Sequence, residues 1–251
     1  MPPTLVIDRA EQFHESARHF TYPAFLKLPT SAASIGMFEV KSAEEAIRYF
    51  DKLVKDYDLK TGEYPILQEK VSGQDYCSTF LFDHGEPRAA MTYRNILTYP
   101  SSGGMGAVRE TVDAPEMEAI GNAVLSRLKW HGVAQIDFCW DGKAKPWLIE
   151  INPRFWGSLA QSIESGWEFP CLLYELAVTG KVHRATPKQS YVRTKNSCLT
   201  TLLVIQEFMG AESAAFDPRN RLRAVKKVFS QERAAIDEVF RWDDPLPMLG
   251  L

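Results

Sequence analysis

Asp137, Glu150, Asn152 and Arg154 form the densest group of chemically capable residues in this 251-residue chain. They lie in the run from Ala134 to Gly157, which reads as two strands joined at Asp141-Gly142. That dipeptide is a strong tight-turn signal, and its flanks are rich in Ile, Phe, Trp and Leu. Side chains alternate faces along a strand, so Glu150, Asn152 and Arg154 share one side. A connection of about four to six residues sets Asp137 roughly opposite Glu150. Two facing carboxylates repel each other, and a cation between them removes that cost. The ligands on offer are oxygens, which suit magnesium. Arg154 adds a planar fork of donors that matches a phosphate. The chemistry this pattern predicts is the holding of a metal–phosphate complex.

The elements that would position these residues follow from periodicity and punctuation. Tyr22 to Lys27 reads as a strand, Thr30 to Gly36 as a loop of small residues, and Gly36 to Val40 as the returning strand. Small side chains let backbone N–H groups approach a phosphate closely, and Lys27 would supply counter-charge. Ser42-Ala-Glu-Glu45 is a capping box, followed by apolar residues at helical spacing through Tyr57. Tyr64 to Val71 reads as a strand, then Ser72-Gly73-Gln74-Asp75 as a turn. An extended segment can read the edge of an adenine, and an acidic residue beyond a turn can take a ribose hydroxyl. Tyr76–Phe82 and Pro87–Leu97 alternate as a hairpin around Asp83-His84-Gly85-Glu86. A Gly-rich loop after Pro100 leads to a strand over residues 107–112. A helix is expected from Asp113-Ala-Pro-Glu116, with Gly132 as its cap. Past the metal hairpin, a helix opens at Phe155–Ser158 and runs through Ser165. That places a helix N-terminus, which favours anions, beside the Glu150–Arg154 strand. Another helix spans Phe169 to Val178 and ends at Gly180. Leu199–Phe208 reads as strand or helix. Residues 181–251 carry a thinner apolar pattern and no catalytic signal.

On these residues the chain resembles the ATP-grasp superfamily. Asp137 with Glu150-Ile-Asn152-Pro-Arg154 is similar to its metal-binding signature, in the form typical of the carbamoyl-phosphate-synthase-like and amino-acid-ligase-like branches. Lys27 and Thr30–Gly36 resemble the family's strand lysine and flap, although Gly36 is the one glycine in that loop. Gln68 to Asp75 resembles its hinge, where the family more often has Glu at the position of Asp75. The resemblance covers about residues 20–180. It implies an α+β ATP-grasp fold, with two subdomains whose antiparallel sheets grip ATP between them. The expected divisions are 1–75 (flap and hinge strand), 76–180 (metal site) and 181–251 (a packing extension).

The resemblance also implies roles. Asp137, Glu150 and Asn152 would bind Mg2+ or Mn2+. Lys27, Ser34, Gln68, Glu69, Val71 and Asp75 would bind ATP, with the Gln68 side chain and the Glu69 and Val71 backbone toward the adenine and Asp75 toward the ribose. Arg154, Arg94 and Arg109 would act on the phosphates and the substrate. The implied reaction is an ATP-dependent ligation of a small-molecule carboxylate to an amine through an acyl phosphate. A nucleotide-binding module without catalysis is the alternative, and a kinase acting on a hydroxyl shares the same ATP site. Only 26 residues precede Lys27, whereas the family usually carries an N-terminal α/β domain there, which needs on the order of 100 residues. The expectation is a ligase incomplete alone: either a separate subunit supplies that lobe or the sequence is a truncated piece of a longer chain, and in both cases an uncovered apolar face beside the metal hairpin would pair with another chain, a partner subunit or a second copy.

Composition sets the remaining bounds. A net charge of −3 gives no electrostatic case for nucleic acid or anionic membranes. No apolar run reaches the roughly 18 residues a bilayer span requires, and Met-Pro-Pro-Thr lacks the pattern of a signal peptide. Cys77, Cys139, Cys171 and Cys198 form no CxxC pair and suit buried thiols of a reducing cytoplasm, where the protein is expected to reside.

Overall fold

A computed structural model of the chain describes residues 1–30, 35–101, 104–183, 191–209, 218–233 and 235–240. Two compact units are present. The first comprises Met1–Gly73 with Trp147–Ile149, and the second Gln74–Pro146 with Glu150–Leu251.

The first unit contains β1 (Thr4–Leu5), α1 (Ala10–Ala17), β2 (Ala24–Lys27), β3 (Phe38–Val40), α2 (Ala43–Asp56) and β4 (Ile66–Glu69). Its sheet has the order β1-β4-β2-β3, and every pairing is antiparallel. Helix α2 starts where the sequence predicts: Ser42 Oγ accepts from the Glu45 N–H at 3.3 Å. The Glu45 carboxylate reaches back to the N–H of Lys41 at 2.8 Å, one residue earlier than in a regular capping box. Ala46, Phe50 and Leu53 form the buried stripe of α2. Phe50 stacks on Phe13 of α1 with centroids 4.0 Å apart. The apolar layer beneath is built by Ala24, Leu26, Val40 and Leu67. Leu26 pairs with Leu67, and Phe25 with Gln68. Strand alternation therefore sends Phe25, Lys27 and Gln68 to the face away from this core. β1, with only two residues, carries no legible period in the sequence.

The second unit contains β5 (Gln74–Asp83), β6 (Glu86–Tyr99), β7 (Met105–Val112), α3 (Pro115–Arg127), β8 (Gly132–Trp140), the Glu150–Asn152 end of β9 (Trp147–Asn152), α4 (Leu159–Glu164), α5 (Phe169–Thr179), β10 (Arg193–Lys195), α6 (Ser197–Met209), α7 (Pro218–Glu232) and β11 (Ile236–Asp237). The sheet order is β11-β10-β7-β6-β5-β8-β9. β10 and β11 pair in parallel, so the second sheet is mixed where an antiparallel one is expected. Both turn residues of the β5–β6 hairpin take positive φ, His84 at 48° and Gly85 at 92°, as a two-residue type I′ turn requires. The left-handed residue after α3 is Lys129, at φ 50°. Gly132 instead opens β8, which corrects its expected place as the helix cap. The Leu199–Phe208 ambiguity resolves as helix α6.

Register assigns the faces of this sheet. Tyr76 pairs with Arg94 and Phe138, whereas Cys77 pairs with Tyr93 and Asp137. Directly paired residues share a face, so Asp137 lies with Cys77 and Tyr93, and Arg94 lies on the opposite side. The Cys77 side is covered by Trp156, Trp167, Phe169 and Leu176 from the α4–α5 region. On the other side α3 approaches closely: a Cβ added at Gly121 would lie 2.2 Å from Phe80 Cζ. Cys77 and Cys139 are buried, but Cys171 and Cys198 are exposed, against the expectation of four buried thiols.

Candidate functional site

β8 delivers Asp137, and β9 delivers Glu150 and Asn152. Asn152 Nδ2 donates one hydrogen to Asp137 Oδ2 at 3.1 Å and the other to Glu150 Oε1 at 3.0 Å. The three expected metal ligands thus converge on one amide nitrogen. Asn152 Oδ1 accepts from Arg154 Nη2 at 3.3 Å, and Arg154 Nη1 donates to the Phe155 carbonyl at 3.0 Å. Arg154, two residues past the end of β9, is therefore linked to the group through Asn152.

Behind Asp137 stands a buried support that the sequence reading missed. Gln135 Nε2 donates to Asp137 Oδ1 at 3.0 Å and to Tyr93 Oη at 3.2 Å. Gln135 and Tyr93 are both buried. Gln135 stands two residues before Asp137 on β8 and so shares its face, a signal the sequence did contain. Tyr93 and Cys77 join only through strand register. Burial pushes the Asp137 carboxyl up to about 7; a hydrogen bond with Cys77 opposes this, and the negative charges of Glu150 and Asp75 add to it. Burial likewise raises the Cys77 thiol and the Tyr93 phenol. A carboxylate that is costly to ionise beside a second carboxylate gains when a divalent cation arrives. The donor set is oxygen alone, and it fits magnesium or manganese.

The arginines divide. Arg94 lies on the face opposite Asp137, where its guanidinium is engaged by the Glu110 carboxylate through Nε at 2.6 Å. Glu110 is shared with Arg193 at 2.6 Å. Burial acts to raise the Glu110 pKa, but hydrogen bonds from the two arginines hold it below its ordinary value. Arg109 is buried and paired with Glu238 at 2.6 Å. The structure does not bring Arg94 to the Asp137 group, and it occupies the Arg109 guanidinium with a carboxylate. Spacing in sequence could not reveal either partner, because Glu238 is 129 residues away from Arg109.

In the first unit, Lys27 Nζ donates to Gln68 Oε1 at 2.9 Å, and Gln68 Nε2 donates to Thr4 Oγ1 at 2.9 Å. Two expected nucleotide contacts are therefore joined directly, with Thr4 of β1 as an unforeseen third member. The Glu69 N–H donates to the Pro3 carbonyl at 2.9 Å. Val71 follows β4, and Asp75 lies on β5 on the same face as Asp137, paired across to Cys139. Ser34 falls outside the described residues, together with the rest of 31–34.

The family model described as ATP-grasp in the biosynthetic pathway with Ter operon matches residues 66–198, more than half of the chain. The chain belongs to this ATP-grasp family. Members of the ATP-grasp family are ATP-dependent carboxylate–amine ligases. Over 202 residues this ATP-grasp chain is 24% identical to the bifunctional enzyme MurC/Ddl of Chlamydia caviae, covering 72% of this chain and 24% of that enzyme. Two solved structures share the ATP-grasp fold. One is the biotin carboxylase domain of the Hydrogenobacter thermophilus 2-oxoglutarate carboxylase, in complex with MgADP, ADP and bicarbonate. It has a TM-score of 0.58 and 15% identity, over 76% of this chain and 44% of that one. The other is N5-carboxyaminoimidazole ribonucleotide synthetase in complex with ADP, with a TM-score of 0.60 and 13% identity, over 93% of this chain and 67% of that one. The chain spans less than half of the biotin carboxylase chain and 24% of the curated enzyme.

Proposed function

We propose that this ATP-grasp chain binds Mg-ATP and forms an acyl phosphate from a small-molecule carboxylate, which an amine then converts to an amide. The observation that carries the proposal is the convergence of Asp137 and Glu150 on the amide of Asn152. Those three side chains would hold the metal, with Asn152 turning its oxygen inward in place of its NH2. Bound magnesium supplies neutralisation of the phosphate charge. Gln135, fixed by Tyr93, keeps Asp137 aimed at the site. Arg154, exposed and adjacent to Asn152, is assigned to charge that develops as the γ-phosphoryl moves. Lys27 and Gln68 are assigned as nucleotide contacts of the first unit, with Glu69, Val71 and Asp75 proposed alongside them. The carboxylate oxygen attacks the γ-phosphorus as ADP leaves. The amine then attacks the carbonyl carbon, phosphate leaves with the carbonyl–oxygen bond broken, and the proton lost from the amine nitrogen passes to phosphate or solvent. The reading that this family membership supports is a ligase core, with further domains or subunits contributing to the substrate site.

The test is thermal denaturation with nucleotide and metal varied separately. ATP with Mg2+ at a hundredfold excess over Kd should stabilise the chain by about 2.7 kcal/mol. ATP in EDTA should give little, because the phosphates and the Asp137 and Glu150 carboxylates are all anionic and would repel one another without a cation. Glu150→Gln should abolish Mg2+-dependent ATP turnover while leaving the circular dichroism spectrum unchanged. Wild-type turnover in Glu150→Gln would sink the site assignment.

A further inference from the structure

We propose that Asp83, His84 and His131 form a second, separate metal site, of the type that takes a divalent transition metal such as Zn2+. The three side chains each offer one ligand atom, and these atoms lie within 4.8 Å of one another. None of them belongs to the Asp137 group, and the inference does not rest on the nucleotide reading.

The scaffold is built before any metal arrives. The tip of the β5–β6 hairpin is tied to the turn between α3 and β8. The Gly85 N–H donates to the Trp130 carbonyl at 2.7 Å, and Ser126 Oγ donates to the Gly85 carbonyl at 2.7 Å. The two turns meet so closely that a Cβ at Gly85 would lie 3.3 Å from Lys129 Cα. This docking sets the His84 and His131 rings in a stack, with centroids 4.1 Å apart and planes 18° from parallel. The His84 N–H also donates to His131 Nδ1 at 3.3 Å.

Asp83 is held in the same corner. Arg88 Nη2 donates to its Oδ2 at 3.0 Å, which leaves Oδ1 facing His131 Nδ1 at 3.6 Å. An oriented carboxylate beside two imidazoles has the form of a supported ligand set. Side-chain rotation of the two exposed histidines would bring the donors to the roughly 2.0–2.2 Å bonds that zinc makes. Two imidazoles and one carboxylate favour zinc, copper or nickel over magnesium. Three protein ligands would leave a fourth position for water or another donor. The competing assignment for the same residues is a plain Asp–His ion pair that fastens the hairpin.

The experiment is Zn2+ titration of the full chain by competition with a chromophoric chelator, in wild type, His84→Asn, His131→Asn and Glu150→Gln. Asn accepts the positive φ required at position 84, so that variant keeps the turn, and unchanged thermal melting checks both histidine variants. The expected result is one stoichiometric zinc site in wild type and in Glu150→Gln, with affinity lowered about tenfold or more in each histidine variant. Zinc affinity equal in wild type and both histidine variants would overturn the proposal. So would the absence of stoichiometric zinc binding, or its loss in Glu150→Gln alone.

Discussion

Asp137 would govern how the proposed metal site responds to pH. Its carboxyl sits at about 7 in the fold, against an ordinary value of 3.8. Between those values the unfolded chain has released a proton that the folded chain keeps. The contribution of Asp137 is therefore fully present below the unfolded value and is lost as pH rises toward about 7. Urea denaturation in EDTA at pH 5.5, 6.5 and 7.5 checks this by comparing wild type with Asp137→Asn, which should lack that component. Equal slopes in the two proteins would refute it. Stabilisation by Mg2+ should accordingly be larger at pH 8 than at pH 6, because the cation must displace the proton at the lower pH.

Helix α3 and the β5 strand beneath it show which of two opposed effects of a glycine wins. Gly121 lies in the middle of α3, where replacement by alanine ordinarily gains close to 1 kcal/mol of helix propensity. Here the added methyl would lie 2.2 Å from Cζ of Phe80, whose ring is fully buried, so the ring or the helix must shift. Overpacking costs about 1–3 kcal/mol, so Gly121→Ala should lower stability on balance. A melting temperature above that of wild type would show that Phe80 yields. The glycine sits inside a helical pattern, and its need is set by the distance of the helix from the sheet.

Across the second unit, Thr194 of β10 and Glu238 tie the chain to the sheet through buried polar contacts. Arg109 of β7 and Glu238 are both buried and pair at 2.6 Å. Glu238 also accepts from Thr194 Oγ1 at 2.5 Å. Gln161 joins the same group through Thr194 and donates to Thr111 Oγ1 at 2.7 Å. Removing one member of a buried ion pair leaves an uncompensated charge and costs about 3–5 kcal/mol. Glu238→Ala should lose stability on that order in chemical denaturation, and Arg109→Met with Glu238→Leu together should lose less than the single change. A single variant as stable as wild type would show that the pair is dispensable.

Local chemistry made much of this chain legible in advance. The Asp137, Glu150, Asn152 and Arg154 pattern, the Ser42 cap, the Asp83–Glu86 hairpin and the α+β class all rest on alternation, turn chemistry and side-chain type over a few neighbouring residues. The ATP-grasp family could be recognised from those residues for the same reason. Tertiary structure decided what depends on register and long loops. Arg94 went to the face opposite Asp137 because β5 sets Tyr76 against both Arg94 and Phe138. Arg109 met Glu238, the sheet became mixed at β10 and β11, and Tyr93 came to brace Asp137 through Gln135. His84 stacked on His131 only because two distant turns dock at Gly85. Side-chain alternation determines which residues share a face of one strand, but the pairing of strands far apart in sequence determines which faces meet.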